Sequence, residues 1–184
     1  MEIIGFLGKR GVGKDYVASK LFKKQTQPTL LVALADHFKI DGIVDLNLDF
    51  NKVFGEKDLE TRKKLQDLGT KYGREQGKPN IWIDKLENWI RIHHKRGIKK
   101  FIVTDLRFQN EVDWIHKLGG LVIKIEAPSR NLERIKREEL NFGSNDETRN
   151  HISELGIEQI TNYDQIIYND YQHNLNNELE KILI

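Results

Sequence analysis

Apolar and polar positions along this 184-residue chain alternate between short buried runs and longer stretches with helical spacing. Ile3-Ile4-Gly5-Phe6-Leu7 opens as an apolar run of strand length, and Tyr16-Val17-Ala18-Ser19-Lys20-Leu21-Phe22 follows with the apolar spacing of a helix. Pro28 breaks that pattern, and Thr29-Leu30-Leu31-Val32-Ala33-Leu34 predicts a second buried strand. Residues 42–57 scatter Asn, Asp and Gly among apolar positions and predict no element. Leu65, Leu68 and Tyr72 form the stripe of a helix over about 59–72; Trp82, Leu86, Trp89 and Ile90 form that of another, closing at Arg96-Gly97. Further strands are predicted over 101–105, 121–125 and 164–168. Helical spacing returns at Val112, Ile115 and Leu118, at Arg130, Arg134 and Arg137, and from Tyr171 through Leu175 and Leu179. Strands alternating with helices five times over predict an α/β fold in three layers: a five-stranded, mostly parallel sheet with helices on both faces.

The turn between the first strand and the first helix carries the strongest chemical signal. Gly8-Lys9-Arg10-Gly11-Val12-Gly13-Lys14-Asp15 fits G-x-x-x-x-G-K, with Asp15 where Ser or Thr is usual. Glycines let backbone N–H groups turn inward around a polyphosphate, and the following helix presents its positive dipole end to the same anion. Lys14 then reaches the outer phosphates. This predicts a P-loop NTPase-type domain spanning 1–184.

In an open α/β sheet, ligands gather beyond the carboxyl ends of parallel strands. Asp36 and Lys39 follow the second strand and meet that condition, with a helix cap and a solvated lysine as an equal alternative. Arg62, Gln66 and Gly69 share a helix face at i, i+4, i+7, and Arg74 lies just beyond. The glycine leaves space for a ligand beside two polar side chains, though a surface face accounts for it equally. Trp82, in the first turn of its helix, is the one aromatic on that face placed to stack on a base. The strand over 101–105 ends in Asp105, followed by Arg107 and Glu111, where P-loop enzymes place a second acidic group. Arg130, Arg134 and Arg137 form one face; with Glu133, Glu138 and Glu139 nearby this is either a solvated ion-paired face or a lid over the transferring phosphate. Residues 141–150 have the composition of a mobile loop, which favours a helical lid over about 128–152.

Composition narrows the partners. Hydrophobic residues make up 38%, charged residues 32%, and the net charge is +2, so no global field argues for nucleic acid or membrane. The chain has no cysteine, which rules out thiolate metal sites, thiol nucleophiles and disulfides. His93-His94 and the other histidines lack metal-ligand spacing. A first strand beginning almost at Met1 leaves no room for a targeting peptide, and a cytoplasmic location is expected.

No guanine-reading N-K-x-D is present, and a compact P-loop chain with cationic groups after strands two and three reads as a small-molecule kinase. The sequence resembles the deoxynucleoside monophosphate kinases of phages and large DNA viruses. That resemblance is carried by the G-K-D loop, by Ala33-Leu34-Ala35-Asp36-His37-Phe38-Lys39, and by Arg62, Gln66, Leu68-Gly69-Thr70, Arg74 and Trp82. It continues through Val103-Thr104-Asp105-Leu106-Arg107-Phe108-Gln109-Asn110-Glu111, Gly119-Gly120 and His151-Ile152-Ser153-Glu154. Animal-type phosphomevalonate kinases look similar in the G-K-D loop and the late Ser-Glu region. The resemblance implies ATP with Mg²⁺ as donor and a deoxynucleoside monophosphate as acceptor. It places Gly8, Gly11, Val12, Gly13, Lys14, Asp15 and Tyr16 on ATP, with Asp15 toward the metal. Lys9, Asp36, Lys39, Arg62, Gln66, Gly69, Arg74, Trp82, Asp105, Arg107 and Glu111 are expected around the acceptor, whose helices span about 36–96. Lys14, Asp15, Arg10, Arg130 and Arg134 are expected at the transferring phosphate. Small-molecule nucleotides are the expected partners, with a homodimer left open. A non-catalytic nucleotide switch is the reading from another class.

Overall fold

A computed structural model describes residues 1–55, 58–142 and 151–182. Five parallel strands stand in the order β2-β3-β1-β4-β5: β1 Glu2–Leu7, β2 Thr29–Val32, β3 Lys100–Leu106, β4 Leu121–Glu126 and β5 Gln165–Tyr168. The sheet is therefore parallel throughout, as the alternation predicts. Period-two alternation divides it into two apolar faces. Ile3, Leu7, Phe101 and Val103 pack with Leu86, Ile90, Val112 and Ile115 of helices α5 (Ile81–Lys95) and α6 (Gln109–Lys117). Ile4, Phe6, Ile102 and Ile123 pack with Val17, Leu21 and Leu179 of α1 (Lys14–Lys23) and α9 (Leu175–Glu180). These are the three layers the alternation predicts.

Two departures from the sequence expectation shape the site. The predicted second strand stops at Val32, and Ala35–Leu46 is a helix, α2, followed by the short α3 (Phe50–Phe54). Periodicity misses α2 because Ile40, Val44 and Leu46 are exposed while only Gly42 is buried. The predicted helix over 59–72 is α-helical only through Asp67 (α4, Leu59–Asp67), then widens into a π-helical turn over Leu68–Gly73. Such turns recur at functional sites.

The remaining α-helices among the described residues are α7 (Pro128–Phe142) and α8 (Ile152–Leu155). Of the loop predicted over 141–150, Asn141 and Phe142 close α7 and 143–150 lie outside the described residues. Among the described residues no helix is long and apolar enough to cross a membrane.

Candidate active site

The loop from β1 to α1 needs backbone conformations that only glycine adopts cheaply: Gly11 and Gly13 sit at φ 81° and 86°. A side chain at Gly13 is excluded twice over, since a Cβ there would meet the Asn169 amide nitrogen at 2.2 Å. That amide, at the end of β5, donates to the Val12 carbonyl (2.9 Å) and holds the loop down. Lys14 is buried, its Nζ donating to the Gly8 (2.6 Å) and Lys9 (2.9 Å) carbonyls. Burial, and then the Arg107 charge, lower its pKa to about 7; Glu154, Asp15 and Asp105 oppose that shift.

Beyond the loop lies a cleft of about 680 Å³, within the usual range for small-molecule sites. Arg10, Gly11, Gly13, Lys14 and Asp15 line one side; Asp36, Phe38, Lys39, Arg62, Leu65, Gln66, Gly69 and Thr70 line the other. Asp105, Arg107, Phe108, Glu111, His151, Ser153 and Glu154 complete it. Asp105 enters it through an irregularity in β3: Gly5 pairs with Val103 but Leu7 with Leu106, an extra residue on β3. A bulge of this kind re-aims side chains, here turning Asp105 off the apolar face while Leu106 stays in it. The Asp105 carboxylate accepts from the backbone N–H of Leu34 (2.9 Å) and Ala35 (2.8 Å), so it caps α2 and fixes where Asp36, Phe38 and Lys39 stand. Burial raises its pKa and those two N–H groups oppose the rise. Lys39 pairs with Asp36 at 2.9 Å.

Several expected site residues serve as wall and buttress. Trp82 does not line the cleft: it is 4% exposed, its indole N–H donates to the Gly69 carbonyl (2.8 Å), and its ring meets Phe38 edge-on at 5.3 Å. The aromatics lining the cleft are Phe38 and Phe108, carried in the sequence by A-D-H-F-K and by the run after Asp105. The gap at Gly69 is filled by that same ring, since a Cβ would stand 3.2 Å from Phe38 Cε1. Glu111, 2% exposed, is spent on an ion pair with Arg74 and on the N–H groups of Arg107 (2.6 Å) and Phe108 (3.1 Å). Arg74 also donates to the Gly69 carbonyl (2.8 Å) and lies 4.2 Å over the Phe108 ring, so Arg74 and Glu111 line the cleft as an ion pair. Burial pushes the Glu111 carboxyl up to about 7, against the opposing effects of Arg74 and the two N–H groups.

Others stand apart from the cleft. Lys9 pairs with Glu158, and with Gly8 and Val12 lines a separate hollow of about 200 Å³ beside the start of α7. Tyr16 is 51% exposed and holds Lys20 over its ring at 5.4 Å. Of the α7 arginines, Arg134 packs on Gly11, where a Cβ would come within 2.3 Å of its Cδ, and Arg130 donates to the Asn169 carbonyl (3.2 Å). Arg137 is exposed. Neither Arg130 nor Arg134 lines the cleft, and Asp170 caps the first turn of α7 through Ser129 N (2.8 Å), tying that helix to the end of β5.

Sheet order, glycine loop and three layers define a P-loop kinase-type fold, and a sugar kinase of Janibacter sp. HTCC2649 shares it at TM-score 0.53, 14% identity, covering 99% of this chain and 91% of that one. No family model matches the chain. Among curated proteins it is similar to one of Acanthamoeba polyphaga mimivirus, provisionally named a deoxynucleotide monophosphate kinase, at 28% identity over 92% of this chain and 89% of that one. It is also similar to a phosphomevalonate kinase of Drosophila melanogaster, at 23% identity over 74% of this chain and 72% of that one. The likeness expected from the motifs is thus found, and it points to a nucleotide or small-molecule kinase.

Proposed function

We propose that the protein transfers the terminal phosphoryl group of ATP to a deoxynucleoside 5′-monophosphate, giving the diphosphate and ADP. The observation that carries this reading is that Lys14 and the loop amides share one cleft with a second cationic set, Lys39, Arg62 and Arg107, on other elements. A switch that only senses ATP needs no second anion site. An acceptor oxygen attacks the terminal phosphorus while its bond to the leaving ADP oxygen breaks. A monophosphate is already deprotonated near neutral pH, so no side-chain nucleophile or base is required. The chain's task is to align two anions and offset their charge.

Gly11, Gly13 and Lys14 fit a triphosphate tail: two left-handed glycines and a buried amine line one edge of the cleft. Asp15, in the first turn of α1 and lining the same cleft, is the carboxylate placed for Mg²⁺, which phosphates and one or two carboxylates ordinarily hold. Bound there, the metal would neutralise charge on the outer phosphates. The α7 arginines act in this reading as a lid that approaches from the Gly11 side.

The Drosophila relative supports a second reading, with mevalonate phosphate as acceptor. Incubation with ATP, Mg²⁺ and each acceptor in turn separates the two by the ADP formed. ADP with a deoxynucleoside monophosphate is expected. ADP with mevalonate phosphate alone overturns the proposal in favour of the second reading, and no ADP with any acceptor overturns both.

A further inference from the structure

The His151-Ile152-Ser153-Glu154 segment delivers a carboxylate between the β1–α1 loop and Arg107, close to Lys14. His151 caps the four-residue α8, its Nδ1 accepting from the Ser153 N–H (3.3 Å) and lying 2.8 Å from the Ser153 hydroxyl. Its Nε2 sits 3.5 Å from the Thr70 hydroxyl, bringing α8 against the π-helical turn. The Glu154 side chain, 12% exposed, then reaches across the cleft. Its Oε2 accepts from the Arg10 backbone N–H at 2.9 Å, and its Oε1 pairs with the Arg107 guanidinium.

One oxygen on a phosphate-binding-loop amide and the other on an arginine is how two oxygens of a phosphate group would be held. Arg107 is also one of the acceptor-side cations, so this point joins the two grips. An unpaired guanidinium here would face the buried Lys14, whose charge Arg107 already disfavours and Glu154 favours. An anion is therefore needed at this point whether or not a nucleotide is bound.

We propose that Glu154 is an internal stand-in for a substrate phosphate: its carboxylate holds the position between the Arg10 amide and Arg107, and a reacting phosphate takes both partners from it. The identity of that phosphate as a kinase substrate's rests on the function proposed above; the competition itself does not. A carboxylate carries one charge, and a phosphate two with a third oxygen, so the incoming group wins the exchange while weaker anions do not. The cost is affinity: the chain gives up part of its phosphate binding to stay charge-balanced when empty.

The test is calorimetric titration of wild type, Glu154→Gln and Glu154→Asp with inorganic phosphate, then with ATP and with a deoxynucleoside monophosphate. Glu154→Gln keeps the shape and removes the charge, and tightening toward inorganic phosphate on the order of tenfold is expected. Glu154→Asp retains the anion and stays near wild type. Whichever of ATP or monophosphate tightens along with inorganic phosphate identifies the phosphate that Glu154 replaces. Unchanged or weakened phosphate binding by Glu154→Gln overturns the proposal, since a residue that only braces Arg107 gives that result. In the wild type, the Glu154 carboxylate ¹³C and Arg10 amide ¹⁵N signals should both move on saturation with phosphate; a stationary Glu154 signal overturns it without any variant. ADP formation by the wild type is a separate reading, so a failure here leaves the kinase assignment standing or falling by itself.

Discussion

The two sides of the cleft are built in opposite ways. The loop side comes from one short stretch, Arg10 to Asp15, and offers backbone N–H groups whose directions are set by Gly11 and Gly13. The facing side is assembled from α2, α4, the π-helical turn, the end of β3 and α8, and offers long side chains. Backbone amides are fixed once the loop is folded. Side chains need a second set of contacts to aim them, which Asp105 supplies by capping α2, Glu111 by pairing Arg74 and Trp82 by holding the Gly69 carbonyl. A grip common to many nucleotides needs only the first kind of construction; choice of acceptor needs the second.

Breaking one side at a time tests that division. Lys14→Ala should lower kcat by about a thousandfold, the scale for losing a preorganised charge at a reacting phosphate, with an unchanged circular dichroism spectrum. The substitution also removes the donor to the Gly8 and Lys9 carbonyls, at a cost of about 1 kcal/mol for each bond, too little to unfold the domain. Arg62→Ala acts on the other side and should raise the acceptor KM by about 10- to 100-fold, the range for a charged hydrogen bond, with the ATP KM near wild type. Equal losses in both KM values would mean that the two sides are not separate grips.

Proton linkage sharpens the comparison. With a pKa of about 7 in the free protein, Lys14 loses its proton as pH rises from 6 to 8, while bound phosphates favour the protonated form. ATP affinity should therefore fall above pH 7, by at most about tenfold per unit, with proton uptake on binding. Calorimetry in buffers of different ionisation enthalpy measures that uptake, and Lys14→Met should abolish it. The smallest effect is expected behind the wall. Trp82→Phe removes the donor to the Gly69 carbonyl and should cost about 1 kcal/mol, lowering Tm by roughly 2–4 °C.

How much could be read from the sequence follows from the same contrast. Five strands and the loop were legible because each is a local pattern: apolar runs for the sheet, G-x-x-x-x-G-K for the turn. Helix α2 was not, because it packs through Phe38 and Gly42 and leaves Ile40, Val44 and Leu46 to solvent, so its apolar residues form no buried stripe. Most of the facing side chains were legible as residues, and Lys39, Arg62, Gln66 and Arg107 line one cleft. Their support was not legible. Whether Trp82 or Phe38 faces the cleft depends on which of two touching rings lies outermost, and helical periodicity does not record that. Glu154 lies 47 residues beyond Arg107, and only the fold shows that they meet.

The proposed kinase reading requires two anion grips facing each other across one cleft. Affinity for a bisubstrate analogue, two nucleosides joined through five phosphates, tests it most directly. If the grips share a cleft, the analogue fills both at once and should bind about a hundredfold more tightly than ATP or the monophosphate alone. Binding no tighter than ATP would mean that no second grip lies within reach of the first, and the account would be wrong.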